Sequence, residues 1–316
     1  MTTRQTNSRL KLTLMRSVAA AMGLSASVAF AGACDTVRFS DVGWTATTAV
    51  TSEVVEALGY ASTTQLLSVP VTYTSLANAD IDVFLGNWMP TMEADIAKYR
   101  EAGSVETVRA NLEGAKYTLA VPKYVYDAGV KSFADIAKFK DKFKGRLYGI
   151  EPGNDGNRLM QDMIDQDAFG LKGFNLVESS EAGMISQVTR AAKRQQWVAF
   201  LGWAPHPMNA NIEMEYLDGG DDFFGPNYGG ASVYTNVRKN YRQDCPNVGR
   251  LLENLSFSLE MENEVMGAIL DDGQKPQMAA RQWLKANPEV LNSWLEGVTT
   301  KDGGDALSAV HGHLKI

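Results

Sequence analysis

The stretch Ile81–Pro90, IDVFLGNWMP, is an apolar, strand-like run that ends on a tryptophan, and a proline stands two residues after that ring. The same frame returns in the second half of the chain as Val198–His206, VAFLGWAPH. A glycine shortly before each tryptophan would let the backbone turn, and the proline would stiffen the exit. Ligands of α/β proteins bind at the carboxyl ends of strands. Trp88 and Trp203 are therefore predicted to face each other across a cleft, although each ring alone could also be a core residue.

Two further aromatic residues occupy similar places. Trp44 follows the first predicted strand, and Tyr117 opens a strand predicted over Lys116–Val121. With Trp88 and Trp203 they are predicted to form an aromatic box, the arrangement that binds a quaternary ammonium, which offers no hydrogen bonds. Packing is the alternative for Tyr117. The remaining tryptophans are expected in the core: Trp197, Trp283 and Trp294.

The amino terminus has the pattern of a secretory leader. Met1–Leu14 is basic, Ser17–Phe30 is apolar and small, and Ala29–Ala31 gives an A-x-A cleavage signal. Residues 1–31 are thus expected to be removed near Ala31, leaving a soluble, periplasmic protein. An uncleaved anchor is one alternative. A lipoprotein attached at Cys34 is another, but the four residues ending at that cysteine lack a leucine at their first position.

The chain has only two cysteines, Cys34 and Cys245. Lone cysteines in an exported protein more often pair than stay free, which predicts a disulfide between them. Neither lies in a C-x-x-C motif, and the histidines stand only at 206, 311 and 313, so no zinc spacing is present. We expect neither a metal nor a cofactor.

Length and charge narrow the class of protein. About 285 residues would remain after cleavage, more than one core usually holds, so two domains are expected. A net charge of −7 without a basic stripe argues against nucleic acid as a partner. Strands and helices alternate along the chain, which predicts an α/β fold of mostly parallel sheets with helices on both faces.

Three segments, Ala79–Pro90, Gly149–Gly153 and Phe200–His206, resemble the substrate-binding proteins of ABC importers for quaternary amines, most closely those for choline. The resemblance covers essentially the whole mature chain and implies a two-lobed periplasmic binding protein fold of type II. Each lobe would be a mostly parallel sheet flanked by helices. Lobe 1 would comprise residues 32–117 and 232–316, and lobe 2 residues 118–231, with hinge crossings near Tyr117–Pro122 and Ala231–Asn236.

The same resemblance implies the partners. Choline or a related quaternary amine would be the ligand, and an ABC permease with its ATPase subunit would receive it. We expect a monomer without catalytic residues. Both cysteines would then belong to lobe 1.

Polar residues are needed for the other end of such a ligand. Asn154 and Asp155 precede a predicted helix, and Asp41 lies three residues before Trp44. An acid and an amide suit the hydroxyl of choline, since both can accept its proton. The alternative for all three is turn formation or helix capping. The carboxylate of betaine would instead prefer a basic group, and only Arg158 and His206 lie near, the latter expected to bond the backbone of a turn.

Other functions stay open at this point. The ligand could be glycine betaine, acetylcholine or carnitine. A secreted enzyme acting on choline esters is a second class, disfavoured because no G-x-S-x-G motif occurs and histidines are few. A sensor or structural protein that uses the same cleft is a third.

Overall fold

The structure of the protein, a computed structural model, describes residues 34–316. The predicted leader, residues 1–31, lies outside the described residues. The strands are β1 (Thr36–Asp41), β2 (Ala61–Leu66), β3 (Val83–Met89), β4 (Val105–Pro122), β5 (Arg146–Tyr148), β6 (Asn175–Val177), β7 (Ala199–Ala204), β8 (Met214–Tyr216) and β9 (Gly230–Arg238).

Helices fill most of the connections between these strands. The longer ones are α1 (Thr45–Ala57), α2 (Val69–Ala77), α3 (Glu93–Glu101), α6 (Asp155–Asp165), α7 (Glu181–Lys193), α12 (Pro246–Asn254), α13 (Leu259–Leu270), α14 (Pro276–Ala286) and α16 (Ala306–Leu314). The shorter ones are α4 (Lys123–Asp127), α5 (Phe133–Ile136), α8 (Met208–Asn211), α9 (Asp221–Phe224), α10 (Pro226–Gly229), α11 (Tyr241–Asp244) and α15 (Val290–Trp294), with 3-10 turns at Ala137–Phe139 and Ala168–Gly170.

The strands of residues 34–316 form one mixed sheet in the order β2-β1-β3-β9-β4-β7-β5-β6, with β8 paired to β4. β1 pairs in parallel with β2 and β3, and β5 pairs in parallel with β6 and β7. Every pairing of β4 and β9 is antiparallel. The predicted α/β fold is confirmed, and its parallel pairing is found toward both ends of the sheet. The two strands in the middle run antiparallel to their neighbours.

β4 is much longer than the predicted strand over residues 116–121. Its first part, Val105–Ala115, alternates buried and exposed positions and carries charged side chains at Glu106, Arg109 and Glu113. It therefore lacks the apolar run that marks a buried strand. At Lys116 the strand changes partner, from Gly230 of β9 to Ala204 of β7. β4 thus links the two parallel parts of the sheet.

The most buried strands are β3 and β7, which carry the two Trp-x-Pro segments. Residues 83–88 of β3 and 199–203 of β7 are all buried. α1 follows β1 directly and packs against α13, α14 and α16, with every side chain from Ala46 to Val55 buried. This burial fixes the start of α1, and with it Trp44, beside the end of β3.

The predicted disulfide is confirmed. Cys34 and Cys245 are bonded with an S–S distance of 1.99 Å, which joins a point two residues ahead of β1 to the residue ahead of α12. None of the helices over residues 34–316 is long and apolar enough to cross a membrane.

Candidate ligand-binding site

The four aromatic residues proposed for the box all line one cavity. Trp44 stands at the N-cap of α1, Trp88 near the end of β3, Tyr117 in β4 and Trp203 near the end of β7. Each is buried, with at most 6% of its surface exposed. The cavity has a volume of about 50 Å³, several times the roughly 10–15 Å³ that one water needs. It is large enough for a small organic molecule.

The four rings follow one another edge to face. The ring centroids of Trp44 and Trp88 are 4.9 Å apart at 86°, and those of Trp88 and Tyr117 are 5.8 Å apart at 53°. Tyr117 and Trp203 are 6.2 Å apart at 72°. An edge-to-face contact covers only one face of one of the two rings, and the face of an aromatic ring is the negative part of its quadrupole. The arrangement therefore can present π-faces to a cation in the cavity.

The glycines before the two tryptophans lie within strands rather than after them. Gly86 and Gly202 are inside β3 and β7, and the pairing of β3 with β9 shifts its register between Phe84 and Asn87. A Cβ on Gly86 would lie 3.0 Å from the Phe84 ring and 3.5 Å from Cβ of Trp44. The absence of a side chain leaves room for the neighbouring rings. The Met89–Pro90 and Ala204–Pro205 peptide bonds that follow are both cis.

Asn154 is the N-cap of α6 and contacts the aromatic cluster directly. Its Oδ1 accepts hydrogen bonds from the backbone N–H groups of Gly156 at 2.8 Å and Asn157 at 3.3 Å, and from the Tyr117 hydroxyl at 2.7 Å. Burial raises the pKa of Tyr117 well above its ordinary value, which keeps this hydroxyl protonated as a donor. Three donors therefore fix the oxygen, and the amide N–H₂ makes no hydrogen bond within residues 34–316.

Asp155 is a buried acid in the cavity wall. It is 1% exposed, and neither carboxylate oxygen has a hydrogen-bond partner within the described residues. Burial raises the pKa of its carboxyl to about 6, although the nearby Thr91 hydroxyl and Arg158 guanidinium oppose this rise. A buried charge without a partner is costly. A cation in the cavity would remove that cost.

Asp41 is placed differently from Asn154 and Asp155. It ends β1 and accepts a hydrogen bond from the backbone N–H of Gly43 at 2.8 Å, and it is not among the residues that line the cavity. Burial raises the pKa of its carboxyl. The structure gives Asp41 the turn-forming role that was its alternative, and ligand contact by this residue stays a prediction.

His206 and Glu181 form a pair behind the box. His206 is 2% exposed; its Nδ1 accepts from the backbone N–H of Met208 at 3.0 Å, as expected for a turn residue. Its Nε2 lies 3.0 Å from Oε1 of Glu181, the first residue of α7. Glu181 lines the cavity, but no local pattern marks it, because it lies 22 positions before Trp203 at an ordinary helix start.

The remaining wall of the cavity is apolar or backbone. It is contributed by Val42, Gly43, Met92 and Ile150. No lysine, arginine or histidine lines the cavity, and residues 34–316 hold no group of side chains suited to a metal ion. The cavity thus combines four rings, one amide and two carboxylates.

Comparison with known proteins places this arrangement in a family. Residues 35–286 match the model of the substrate-binding domain of ABC-type glycine betaine transport systems. The chain belongs to this family. It is 30% identical over 159 residues to the glycine betaine/carnitine transport binding protein GbuC of Listeria monocytogenes, a match to 50% of this chain and 52% of that protein.

Solved structures give the same family and the fold. The chain is 64% identical to an ABC-transporter choline binding protein in complex with choline, with a TM-score of 0.88 and coverage of 89% of this chain and 98% of that one. Lactococcal OpuAC in its closed, glycine betaine-bound conformation is 25% identical, with a TM-score of 0.74 and coverage of 82% and 98%. The predicted resemblance and the two-lobed type II fold are confirmed, and this family member has the fold of a periplasmic substrate-binding protein of ABC importers.

Proposed function

We propose that this family member is the periplasmic solute-binding component of an ABC importer and that it binds choline. The observation that carries the proposal is the cavity itself, in which four buried rings surround a space beside the unpartnered carboxylate of Asp155. A trimethylammonium group has no hydrogen bond to offer, so rings and a nearby negative charge are the partners that compensate its dehydration. The 64% identical relative, which holds choline, supports this choice.

The ammonium would sit among Trp44, Trp88, Tyr117 and Trp203. The hydroxyl end would be bound by Asn154 and Asp155, which are adjacent in the chain and both line the cavity. The amide of Asn154 can donate to the hydroxyl oxygen, and the carboxylate of Asp155 can accept its proton. Asp41 lies behind this site as a support for the loop that carries Trp44.

Binding would require two lobes to close. Residues 32–117 and 232–316 form lobe 1 in this proposal, and residues 118–231 form lobe 2, with signal-peptide cleavage near Ala31. The change of partner of β4 at Lys116 and the start of β9 at Gly230 support hinges close to these boundaries. Trp44 and Trp88 would then come from one lobe and Asn154, Asp155 and Trp203 from the other. A ligand that contacts both sets favours the closed state.

The closed protein would deliver choline as a monomer to a membrane permease driven by an ATPase subunit. It would have no enzymatic activity, in keeping with relatives that are transport binding proteins. Within the described residues, the cavity wall holds no serine, cysteine or histidine that could act as a nucleophile and base on a choline ester.

Calorimetric titration of choline, glycine betaine, acetylcholine and carnitine tests the ligand. Choline should bind most tightly; preference for glycine betaine would overturn the choline proposal and leave the importer role intact. Acetylcholine should be recovered unhydrolysed, since hydrolysis would favour the enzyme alternative.

Small-angle scattering tests closure on the same sample. The radius of gyration should fall when choline binds. An unchanged radius despite tight binding would contradict the bridging of two lobes.

A further inference from the structure

Glu181 places a second carboxylate in the cavity. In the proposed division Glu181 belongs to lobe 2, whereas the loop that its side chain approaches, which carries Trp44, belongs to lobe 1. Glu181 is the first residue of α7, directly after the N-cap Ser180. Its side chain is 22% exposed, so it lies at the mouth of the cavity rather than free in solvent. It is not required to cap the helix, because the hydroxyl of Ser180 already accepts the N–H of Gly183.

His206 holds this carboxylate in one orientation. Because Nδ1 of His206 accepts the backbone N–H of Met208, the ring hydrogen is on Nε2, which donates to Oε1 of Glu181 at 3.0 Å. The imidazole is in turn fixed by Trp203, whose ring centroid is 4.9 Å away. The ring of the box, the imidazole and the carboxylate therefore form one connected unit.

The other oxygen of Glu181 is directed at the loop that carries Trp44. Oε2 lies 3.3 Å from the position that a Cβ on Gly43 would occupy, and Gly43 has φ of +99°, which disfavours any side chain there. The charge of Glu181 also acts on neighbouring acids. Burial is the main cause of the raised pKa values of Asp41 and Glu151, and repulsion from Glu181 raises both pKa values further. The negative potential of the cavity thus comes from both Asp155 and Glu181.

We propose that Glu181, positioned by His206, selects ligands that carry a net positive charge over zwitterionic trimethylammonium compounds. The inference rests on the proposed function of the same site. Choline and glycine betaine share the same ammonium group and differ at the other end, where one has a hydroxyl and the other a carboxylate. Two carboxylates and no basic group in the wall attract the ammonium of both ligands, but they also repel the carboxylate of glycine betaine. Discrimination by unfavourable contacts with the wrong ligand is a common source of specificity.

The test is the ratio of choline to glycine betaine affinity, measured for the full mature protein by calorimetry and, for the weaker ligand, by competition against choline. Glu181→Gln keeps the size of the side chain and removes its charge. Choline affinity should fall about five- to tenfold and glycine betaine affinity should stay within about twofold or rise, which reduces the ratio at least about fivefold. Asp165→Asn is the control, since it removes an exposed acid at the far end of α6 and should leave the ratio unchanged.

His206 is tested as a positioning residue through its coupling to Glu181. His206→Leu should reduce the ratio toward that of Glu181→Gln, and the double variant should reduce it no further, because both changes act through one carboxylate. His206→Gln, whose amide can donate to Glu181, should retain more of the ratio than His206→Leu. Full additivity of the two single changes would contradict the positioning role.

The outcomes separate this inference from the proposed function. If Glu181→Gln binds choline and keeps the parental ratio within about twofold, the inference is wrong while choline binding stands. If the parent itself does not bind choline, the proposed function fails first. Thermal unfolding of each variant shows whether a loss of binding reflects a loss of folded protein.

Discussion

Two groups of tryptophans in this molecule use the same side chain in opposite ways. In the box, Trp44 and Trp88 meet edge to face at 86°, with their ring centroids 4.9 Å apart. On the carboxyl-terminal helices, Trp283 and Trp294 are stacked at 22° with centroids 6.4 Å apart. Stacked rings direct one face of each toward the other, whereas an edge-to-face contact uses the edge of one ring and leaves both of its faces for a third partner. Edge-to-face pairs also occur in packing, as between Phe257 and Trp294 at 73°, so the burial of four rings around one cavity, rather than the ring angle alone, distinguishes the box from the stacked pair.

The hydrogen bonds of the two groups of tryptophans differ as well. The indole nitrogen of Trp283 donates to Glu264 at 2.8 Å, and that of Trp294 donates to the carbonyl of Ser256 at 3.1 Å. In the box, by contrast, the carboxylate of Asp155 has no partner among the described residues. The stacked pair is complete without a ligand. The box carries a carboxylate that has no hydrogen-bond partner among the described residues and that a bound cation would neutralise.

Truncating one ring in each group should produce the largest difference between the two groups. Trp203→Ala removes one π-face and its packing area, a contact worth roughly 2 kcal/mol or more when desolvated. Choline affinity should therefore fall about thirtyfold or more, since about 1.4 kcal/mol corresponds to a factor of ten. Calorimetric titration measures the loss.

Trp283→Ala is the matched control. It removes the half-buried partner of a stacked pair and should lower the free energy of unfolding by about 1–3 kcal/mol, less than a fully buried tryptophan would. Choline affinity of the folded fraction should change less than about twofold. If Trp203→Ala binds choline as well as the parent, the aromatic-box proposal is wrong.

The next effect comes from the unpaired acid. Asp155→Asn removes the charge and should weaken choline binding about tenfold, whereas Glu264→Gln beside the stacked pair should leave it unchanged. Titrations at pH 7 separate the two variants. Equal effects of both changes would show that only the net charge of the protein matters.

The raised pKa of Asp155 also predicts the direction in which choline affinity and stability change with pH. The pKa of Asp155 in the folded, ligand-free protein is about 6, above its ordinary value of 3.8. Choline favours the ionised carboxylate, so affinity should fall as the pH drops below about 6. Stability of the ligand-free protein should show the opposite trend, because the folded state holds a proton between pH 3.8 and 6 that the unfolded state has released. The contribution of Asp155 to the free energy of unfolding therefore decreases as pH rises through this window. Asp155→Asn should remove the part of both trends that Asp155 causes.

The sequence predicted the rings better than it predicted their surroundings. Trp88 and Trp203 were recognisable because each follows an apolar strand and precedes a proline, a local pattern. Asp155 and Asp41 could not be told apart, since both are acids beside a helix start and both are buried; only their hydrogen bonds and their place relative to the cavity separate them. Glu181 left no local signal, because its place in the cavity depends on His206, which is distant in the chain.

The same limit applies to the fold. The strand predicted over residues 36–40 ends one residue before β1 does, and the strand predicted over residues 81–85 begins two residues before β3 and ends four residues before β3 does. The first part of β4 alternates polar and buried positions and was missed. The edge strand β2 is mostly exposed and polar, so its predicted place was shifted by three residues, to 64–69 instead of Ala61–Leu66.

The smallest predicted effect concerns the closure of the two proposed lobes, which ligand binding in the box requires and the packing of the stacked pair does not. Arg158 of α6 donates through Nη2 to the carbonyl of Thr91 at 3.0 Å and to Asp95 at 3.1 Å. In the proposed division these partners lie in lobe 1 and Arg158 in lobe 2, so the bonds can form only when the lobes are closed.

Arg158→Met should reduce choline affinity about two- to fivefold, mainly through faster dissociation, because a partly exposed ion pair contributes about 0.5–1 kcal/mol. Arg242→Met is the control: its side chain is equally exposed, at 34%, but its partners Glu106 and Glu253 belong to the same proposed lobe. Stopped-flow dissociation of choline, followed by tryptophan fluorescence, should separate the two variants, and an unchanged rate for Arg158→Met would remove this residue from the closing contact.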